Sequence, residues 1–278
     1  MVRCVDVSQI REVGIERLDG TARGAARDRL VVEAPLQLRA RGTPVATIMR
    51  TPGHDLELAR GLMHAESVPA GAIEQVEDDA VEIDVAATAF AGRGLLSSAA
   101  CGVCGRVALA DLEQRAREVT ADTAISAATL VGLPAALRTA QSVFADTGGL
   151  HAAGLFTTAG ALVAAREDVG RHNALDKLFG WALGAQLVAA DHVVVVSGRL
   201  GYELVQKAVM FGAPILAAVS APSSLAIELA ERFGIAIAGF VRPPRMNLYT
   251  HAWRITGAST DREIAATLHR DSSSDWHR

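Results

Sequence analysis

Two cysteines separated by two residues form the most reactive candidate group in the chain. Cys101 and Cys104 stand in the segment Cys101-Gly102-Val103-Cys104, and Arg106 follows closely. The thiolate is the reactive form of cysteine, and nearby positive charge or a helix start favours it. The pair is therefore a candidate for metal binding, for redox chemistry or for carrying sulfur as a persulfide.

The residues alone leave all three chemistries open. A structural zinc site needs about four ligands, and the sequence offers neither a second Cys-x-x-Cys nor a spaced His pair, although a half-site shared across a dimer would complete the set. A thioredoxin-like pair sits at a strand-to-helix turn, whereas residues 91–105 are small, rich in glycine and without period, which predicts a mobile loop. A persulfide relay needs such a mobile, exposed thiol near an acceptor site, so it is the favoured interpretation.

A zinc-dependent deaminase site is disfavoured. That chemistry uses His-x-Glu followed later by Pro-Cys-x-x-Cys. Here the residue two positions after His172 is Ala174, and both cysteines precede the histidine. The scaffold of such an enzyme could still be shared without its chemistry.

Polar side chains follow each predicted strand of the C-terminal half. Ligands of open α/β sheets bind beyond the carboxyl ends of the strands. Hydroxyls, glycines and arginines at helix starts supply the backbone N–H groups, positive dipole and guanidinium forks that bind phosphate. Their recurrence predicts an anionic or nucleotide-like ligand. The candidates are Asp168, Arg171, His172, Ser197, Gly198, Arg199, Ser220, Arg242, Pro243, Pro244, Arg245 and Asn247.

His172 is weighed separately because polar residues are unusually dense around it. Asp168 and Arg171 precede it, and Asp176 and Lys177 follow it, between apolar strands. A carboxylate commonly orients a functional imidazole. Asp168 is therefore expected to hold Arg171 or to orient His172.

The elements that position these groups follow from hydrophobic period. Residues 1–27 show no sustained period and are expected to be flexible. The first half then predicts a small α+β unit. Its predicted strands are residues 30–32, 36–41, 45–49, 73–76 and 81–85, with a hairpin formed by the second and third, and its predicted helices are residues 55–65 and 107–119.

The second half has a different sequence pattern, in which short apolar strands alternate with helices. This alternation predicts a sheet with covered faces. Predicted strands are residues 151–157, 161–165, 192–196, 215–219 and 235–241, and predicted helices are residues 171–181, 202–211 and 223–233 after a mostly helical stretch at 125–144. The fold class is thus mixed α+β and α/β, with domains at 28–119 and 120–268 and a flexible tail at 269–278.

Composition excludes several classes of function. The net charge is −4 and aromatic residues make up 4% of the 278 residues, which argues against nucleic-acid binding. The most apolar stretch, residues 213–241, is interrupted by prolines and charges and predicts no membrane span. Three cysteines without a signal segment predict free thiols in the cytoplasm.

The motifs together resemble those of the FdhD family, the sulfur carrier and sulfurtransferase proteins needed for active formate dehydrogenase. The resemblance extends from about Leu30 to Arg254. The matching motifs are Thr51-Pro52-Gly53, Cys101-Gly102-Val103-Cys104-Gly105, Thr147-Gly148-Gly149-Leu150-His151, Asp168-Val169-Gly170-Arg171-His172-Asn173-Ala174 with Asp176-Lys177, Ser197-Gly198-Arg199, Ser220-Ala221-Pro222 and Arg242 through Asn247 with Tyr249-Thr250.

The resemblance implies a sulfurtransferase with a cysteine persulfide intermediate. In the family a cysteine desulfurase supplies the sulfur, which passes to the metal of the bis-molybdopterin guanine dinucleotide cofactor before that cofactor enters formate dehydrogenase. By resemblance Cys101 is the main carrier and Cys104 its helper, and the cofactor binds at Phe240, Val241, Arg242, Pro243, Pro244 and Arg245.

The resemblance also implies a homodimer whose second domain is similar to cytidine deaminase without its zinc, so no structural metal is expected. The chain departs from the family at Pro243-Pro244, where many relatives are glycine-rich, and at Met246, where an aromatic residue is usual. The choice between molybdenum and tungsten, the donor desulfurase and the receiving dehydrogenase are left open. The alternative function is a cofactor-binding chaperone of apo-formate dehydrogenase that transfers no sulfur.

Overall fold

A computed structural model describes residues 9–90, 112 and 115–257 of the chain. Cys101 and Cys104, the predicted loop at 91–105 and the predicted tail at 269–278 lie outside these residues. The described part is a mixed α/β fold, as the sequence predicts. No helix within it is long and apolar enough to cross a bilayer.

The N-terminal segment forms a hairpin that the sequence analysis missed. Strands β1 (Ile10–Asp19) and β2 (Ala22–Val31) pair antiparallel in register from Ile10 with Val31 to Asp19 with Ala22. The expectation of a flexible segment through residue 27 is therefore wrong for these strands. Most of their side chains are exposed on both faces, so the alternation that marks a half-buried strand is absent.

The first half forms a four-stranded sheet covered by one helix, which is the kind of small α+β unit that the sequence predicts. The strand order is β4-β3-β6-β5, and β3 and β4 form the predicted hairpin. Leu36 and Leu38 of the sheet pack against Leu58 and Leu62 of the helix in a core of their own. The elements are β3 (Ala34–Ala40), β4 (Thr43–Arg50), α1 (Asp55–Ala65), β5 (Ile73–Glu77) and β6 (Ala80–Ile83).

The segment between the two sheets departs from the prediction. Leu112 and Arg115 are helical, but residues 116–120 are not, so the helix predicted to reach residue 119 ends earlier. Val119 instead donates its backbone N–H to Phe233 (2.9 Å). The stretch predicted to be mostly helical contains the short strand β7 (Ile125–Ser126) and the helices α2 (Ala127–Leu130), α3 (Leu133–Ala140) and α4 (Ser142–Thr147).

The second half is built on a six-stranded sheet in the order β13-β12-β11-β10-β8-β9. Strands β10, β11 and β12 are parallel to one another, and β8 and β13 run antiparallel to their neighbours. The elements are β8 (His151–Thr157), β9 (Leu162–Asp168), α5 (Arg171–Gly184), β10 (His192–Val196), α6 (Tyr202–Phe211), β11 (Ile215–Ala218), α7 (Ser224–Phe233), β12 (Ala236–Arg242), β13 (Arg245–Thr250) and β14 (Ile255–Thr256).

Both faces of this sheet are covered, which explains the continuous apolar runs of its strands. Along β10, Val194 and Val196 pack against α5, α6 and α7 on one face. Val193 and Val195 pack against α2 and α3 on the opposite face. Strand β9 runs on through Asp168, past its predicted end at 165, and edge strand β13, whose exposed and partly buried side chains alternate, was not predicted.

The two halves meet where helices α1 and α5 cross through glycines. A Cβ atom on Gly61 would lie 2.0 Å from the carbonyl oxygen of Asp176, and one on Gly180 would lie 1.8 Å from that of Glu57. Real side chains never come so close, so only glycine allows the two backbones to pack in this way. The crossing therefore fixes the first sheet against the second.

Charged pairs reinforce this junction. Arg166 of β9 binds the Glu57 carboxylate of α1 through Nε (2.5 Å) and Nη2 (2.9 Å). Burial opposes ionisation of Glu57, but hydrogen bonds from Arg166 and His54 outweigh it and lower its pKa to about 2. The carboxylate is therefore ionised at any physiological pH and joins the two halves.

Candidate functional site

The carboxyl edge of the six-stranded sheet brings the predicted strand-end residues together. Strands β10, β11 and β12 end at this edge, and so does β9, because β8 is antiparallel to both β9 and β10. Strands β8 and β13 begin there. The rule that ligands bind beyond the carboxyl ends of the strands, called the strand-end rule below, therefore identified one contiguous edge of the molecule.

A cavity of about 750 Å³ opens at this edge. Strand ends form one wall, and helices α3 and α4 with the turn after them form the other. The sheet wall is lined by His151, Val169, Ser197, Val219, Val241, Arg242 and Pro243, and the helical wall by Pro134, Ala135, Leu137, Arg138, Gln141, Phe144, Gly148, Gly149 and Leu150. Neither wall contributes an acidic side chain within the described residues.

Four of the sequence candidates line the cavity: Ser197, Val241, Arg242 and Pro243. The Ser197 hydroxyl oxygen accepts a hydrogen bond from the backbone N–H of Ala152 (2.8 Å). Its hydroxyl proton is thereby left to be donated elsewhere. A hydroxyl donor and an exposed guanidinium at one opening suit an anionic ligand.

Further cations lie next to this opening. A Cβ atom on Gly198 would lie 3.3 Å from Nδ1 of His151 and 3.7 Å from Cδ of Arg171, so these groups pack closely. Burial lowers the pKa of His151, and the positive charges of Arg171, His172 and Arg199 lower it further. The arginines Arg171 and Arg199 therefore lie close to His151 at this corner of the sheet.

The Arg171 side chain has an unused donor at this corner. Its Nε is buried and has no hydrogen-bond partner among the described residues. His172 instead contacts Glu203 through Nε2 (2.9 Å), and this hydrogen bond lowers the pKa of Glu203. Arg199 is exposed beside them. The corner thus presents positive charge that the protein only partly neutralises.

The hairpin between β12 and β13 carries the remaining candidates. Phe240 has a positive φ of 52°, which is uncommon outside glycine, and its N–H donates to Ser220 (3.2 Å). Arg242 faces Arg245 across the hairpin. Pro244, Arg245 and Asn247 are exposed, and Asn247 contacts Tyr249 (3.3 Å). These three residues do not line the cavity, so only one end of the predicted loop reaches it.

Asp168 does not take the role expected from the sequence. It is fully buried, and its carboxylate binds Lys177 (2.7 Å), the N–H of Thr51 (3.1 Å) and the N–H of Gly170 (2.8 Å). It also accepts from the Asn173 amide (3.0 Å). It orients neither His172 nor Arg171 in the described residues. With its acceptors occupied and no exposed surface, Asp168 joins the two halves instead of contacting a ligand.

Both lysines of the chain are buried in ion pairs. Lys177 binds Asp168 and the carbonyl oxygen of Thr51 (2.8 Å). Lys207 binds the buried Asp176 (2.8 Å). Burial raises the pKa of Asp176, and the Lys207 charge offsets part of the increase. Lys177 and Asp168 join the two halves through Thr51, whereas Lys207 and Asp176 join two helices of the second half, and none of the four lines the cavity.

In the sequence, the thiol pair lies between a buried residue of the first half and a buried residue of the second half. Phe90 before it is buried in the core of the first sheet, and Leu112 after it is buried in the core of the second. Cys101 and Cys104 themselves lie outside the described residues. Within those residues no three histidine, cysteine or acidic side chains cluster as a metal site would require.

Sequence reasoning missed the whole helical wall of the cavity. Arg138 lies over the Phe144 ring at 3.7 Å, and Gln141 is buried behind it. No strand precedes these residues, so a search of strand ends passes over them. His151 was missed as a site residue for a related reason, because it opens an antiparallel strand at the same edge instead of ending a parallel one.

Comparisons with known proteins converge on one family. A family model described as FdhD/NarQ matches residues 31–256. A protein named sulfur carrier protein FdhD from Mycolicibacterium paratuberculosis is 47% identical over 83% of this chain and 93% of its own length. Two further proteins of the same name match comparably. The one from Nocardia farcinica is 44% identical over 86% of this chain and 92% of its own length, and the one from Sulfolobus acidocaldarius is 40% identical over 89% of this chain and 99% of its own length.

A solved structure shares the fold. The crystal structure of a candidate formate dehydrogenase accessory protein from Desulfotalea psychrophila matches with a TM-score of 0.74. The match covers 89% of this chain and all of that one, at 21% sequence identity. At this identity the likeness shows the arrangement of the elements, and it agrees with the mixed α/β architecture described above.

Proposed function

The chain belongs to the FdhD/NarQ family, and from this premise we propose that it is a sulfur carrier acting in the maturation of formate dehydrogenase. Its relatives are named sulfur carrier proteins. The cationic cavity at the sheet edge is the observation in this chain that supports a bound, anionic acceptor of the sulfur. We place this activity in the cytoplasm and in a homodimer.

Cys101 is the proposed carrier. Its thiolate attacks the terminal sulfur of a persulfide on a cysteine desulfurase, and the donor cysteine leaves as a thiolate. Release is assigned to Cys104, whose thiolate attacks the inner sulfur of the Cys101 persulfide and expels hydrosulfide. A disulfide between the two cysteines results, and a cellular dithiol reductant restores the thiols.

The proposed acceptor is the bis-molybdopterin guanine dinucleotide cofactor, with molybdenum or tungsten, as a bound substrate. Its nucleotide ends carry diphosphates, and the cavity offers Ser197, Arg242 and the positive corner at Arg171 for them. Arg245 and Asn247 are exposed on the hairpin that contributes Arg242 to the cavity. The absence of acidic side chains among the described cavity residues favours such a dianionic group.

The alternative to sulfur transfer is a chaperone that only binds the cofactor or the apo-enzyme. The mass of the intact protein distinguishes the two functions. After incubation with a cysteine desulfurase and cysteine, the intact protein is expected to gain one sulfur atom that a reductant removes. A protein of unchanged mass after this incubation would favour the chaperone. Zinc bound in stoichiometric amount with both thiols protected would favour the metal site instead.

Replacing Arg242 by alanine is expected to weaken binding of guanosine diphosphate. Arg242 lines the cavity, and losing a charge-assisted hydrogen bond costs about 1.5–3 kcal/mol, or more than roughly tenfold in affinity. Arg245→Ala is the comparison, because Arg245 carries the same charge on the same hairpin but does not line the cavity, and a smaller loss of affinity is expected of it. Titration calorimetry measures both variants, and equal affinities for the wild type and the two variants would place the nucleotide elsewhere.

A further inference from the structure

One buried amide in the cavity has no partner. Gln141 is 4% exposed and lines the cavity, and its Nε2 makes no hydrogen bond with any described residue. Buried side-chain amides are normally satisfied, because an unpaired donor loses its hydrogen bonds to water without replacement. The unpaired amide of a residue that lines the cavity is therefore a candidate contact for a ligand.

The backbone groups around Gln141 make hydrogen bonds of their own and do not pair with this donor. Gln141 lies between α3 and α4, and its backbone N–H and carbonyl are already used by Arg138 and Ala145. The backbone N–H groups of Val143 and Phe144, at the start of α4, donate to the Glu167 carboxylate (3.1 and 2.9 Å). These backbone groups are therefore paired, whereas the Nε2 of Gln141 is buried without a partner in a residue that lines the cavity.

The two walls of the cavity differ in chemistry. The helical wall around Gln141 includes Pro134, Leu137 and Phe144, and Cζ of Arg138 lies 3.7 Å from the centre of the Phe144 ring. A flat guanidinium is a surface on which bases stack. The opposite wall presents Ser197 and Arg242. A neutral amide beside apolar and planar groups suits a base, whereas hydroxyl and cationic groups suit phosphate.

We propose that the Gln141 amide donates a hydrogen bond to an acceptor of the purine base, and so is a base-binding residue of the nucleotide site. The proposal rests on the function proposed above, in which the cavity holds a nucleotide end of the cofactor. The diphosphate then lies along the strand ends, and the base lies against the helical wall. Gln141 forms a hydrogen bond with the base, and Arg242 binds the phosphates.

The test compares two probes on Gln141→Met, which keeps the length of the side chain and removes its donor. The variant is expected to bind guanosine diphosphate about tenfold more weakly, the loss that one hydrogen bond of about 1.4 kcal/mol represents, and to bind pyrophosphate like the wild type. Arg242→Ala is expected to weaken both probes. Gln75→Met, on an exposed strand of the first sheet, is the control that should change neither.

Thermal unfolding distinguishes a ligand contact from a structural one. Removing an unsatisfied buried amide should raise the melting temperature of the free protein by about 2–4 °C, while nucleotide affinity falls. A lower melting temperature together with weaker binding would mean that Gln141 supports the fold, and would overturn the proposal.

Three further outcomes would also overturn it. Unchanged affinity for guanosine diphosphate in Gln141→Met would remove the base contact and leave the nucleotide site standing. An equal loss for both probes would move the contact to phosphate. Failure of the wild-type protein to bind guanosine diphosphate would refute the nucleotide site of the proposed function, and the base contact with it.

Discussion

Replacing Cys101 by alanine is expected to abolish the activation of formate dehydrogenase while leaving the fold intact. Cys101 is the proposed persulfide carrier, and neither Cys104, its proposed helper, nor Cys4 is expected to replace it. The measurement is formate dehydrogenase activity in a strain that lacks the endogenous carrier and expresses the variant.

Several controls make this result interpretable. Cys4→Ser should restore full activity, because that residue lies far from the Cys-x-x-Cys motif in the sequence. Cys104→Ala should lower activity less than Cys101→Ala, since hydrosulfide can still be released by an external thiol. The melting temperature of each variant should match that of the wild type. Normal activity of Cys101→Ala would refute the carrier assignment and leave the chaperone as the better account.

Replacing Lys177 by methionine is expected to destabilise the protein by about 3–5 kcal/mol, the cost of leaving a buried charge without its partner. Lys177 is fully buried and contacts the Asp168 carboxylate at 2.7 Å and the Thr51 carbonyl oxygen at 2.8 Å. Without it, Asp168 keeps only neutral donors. Urea unfolding at constant protein concentration measures the difference, and the midpoint should shift with little change in slope.

The matched control removes a cation from an exposed ion pair. Arg27 of the hairpin pairs with Glu12, and the Arg27 side chain is 82% exposed. Exposed pairs contribute about 0–1 kcal/mol, so Arg27→Met should unfold at nearly the wild-type midpoint. The role assigned to Lys177 would be refuted if both variants unfolded at the same urea concentration.

The α/β half could be predicted from the sequence because its strands and helices are strongly apolar and bounded by glycine or capping residues. Strand β10 and helix α6 have the predicted bounds. Ser223 caps α7 through its side chain, as a serine before an apolar helix suggests. The two strands of the N-terminal hairpin could not be found, since their exposed faces carry no period that separates strand from coil. Edge strand β13 was overlooked although its exposed and partly buried residues alternate.

The candidate site was predictable only in part. The strand-end rule led to Ser197 and Arg242 because parallel strands share a carboxyl edge. It failed at Asp168, since sequence does not reveal that Lys177 and the backbone of Thr51 occupy that carboxylate. It could not reach Gln141, because which helix closes over a sheet edge is decided by tertiary packing. The assignments of Cys101 and Cys104 stay predictions.

The placement of the two lysines has a practical consequence for labelling. Of the 27 basic residues other than histidine, only Lys177 and Lys207 carry a primary amine on the side chain, and both are buried in ion pairs. Acylating dyes and amine-directed cross-linkers will therefore find no lysine on the surface of the folded protein. Acylation of Lys177 instead reports the transient separation of the two halves, because its amine becomes accessible only when the contact between Thr51 and Asp168 opens.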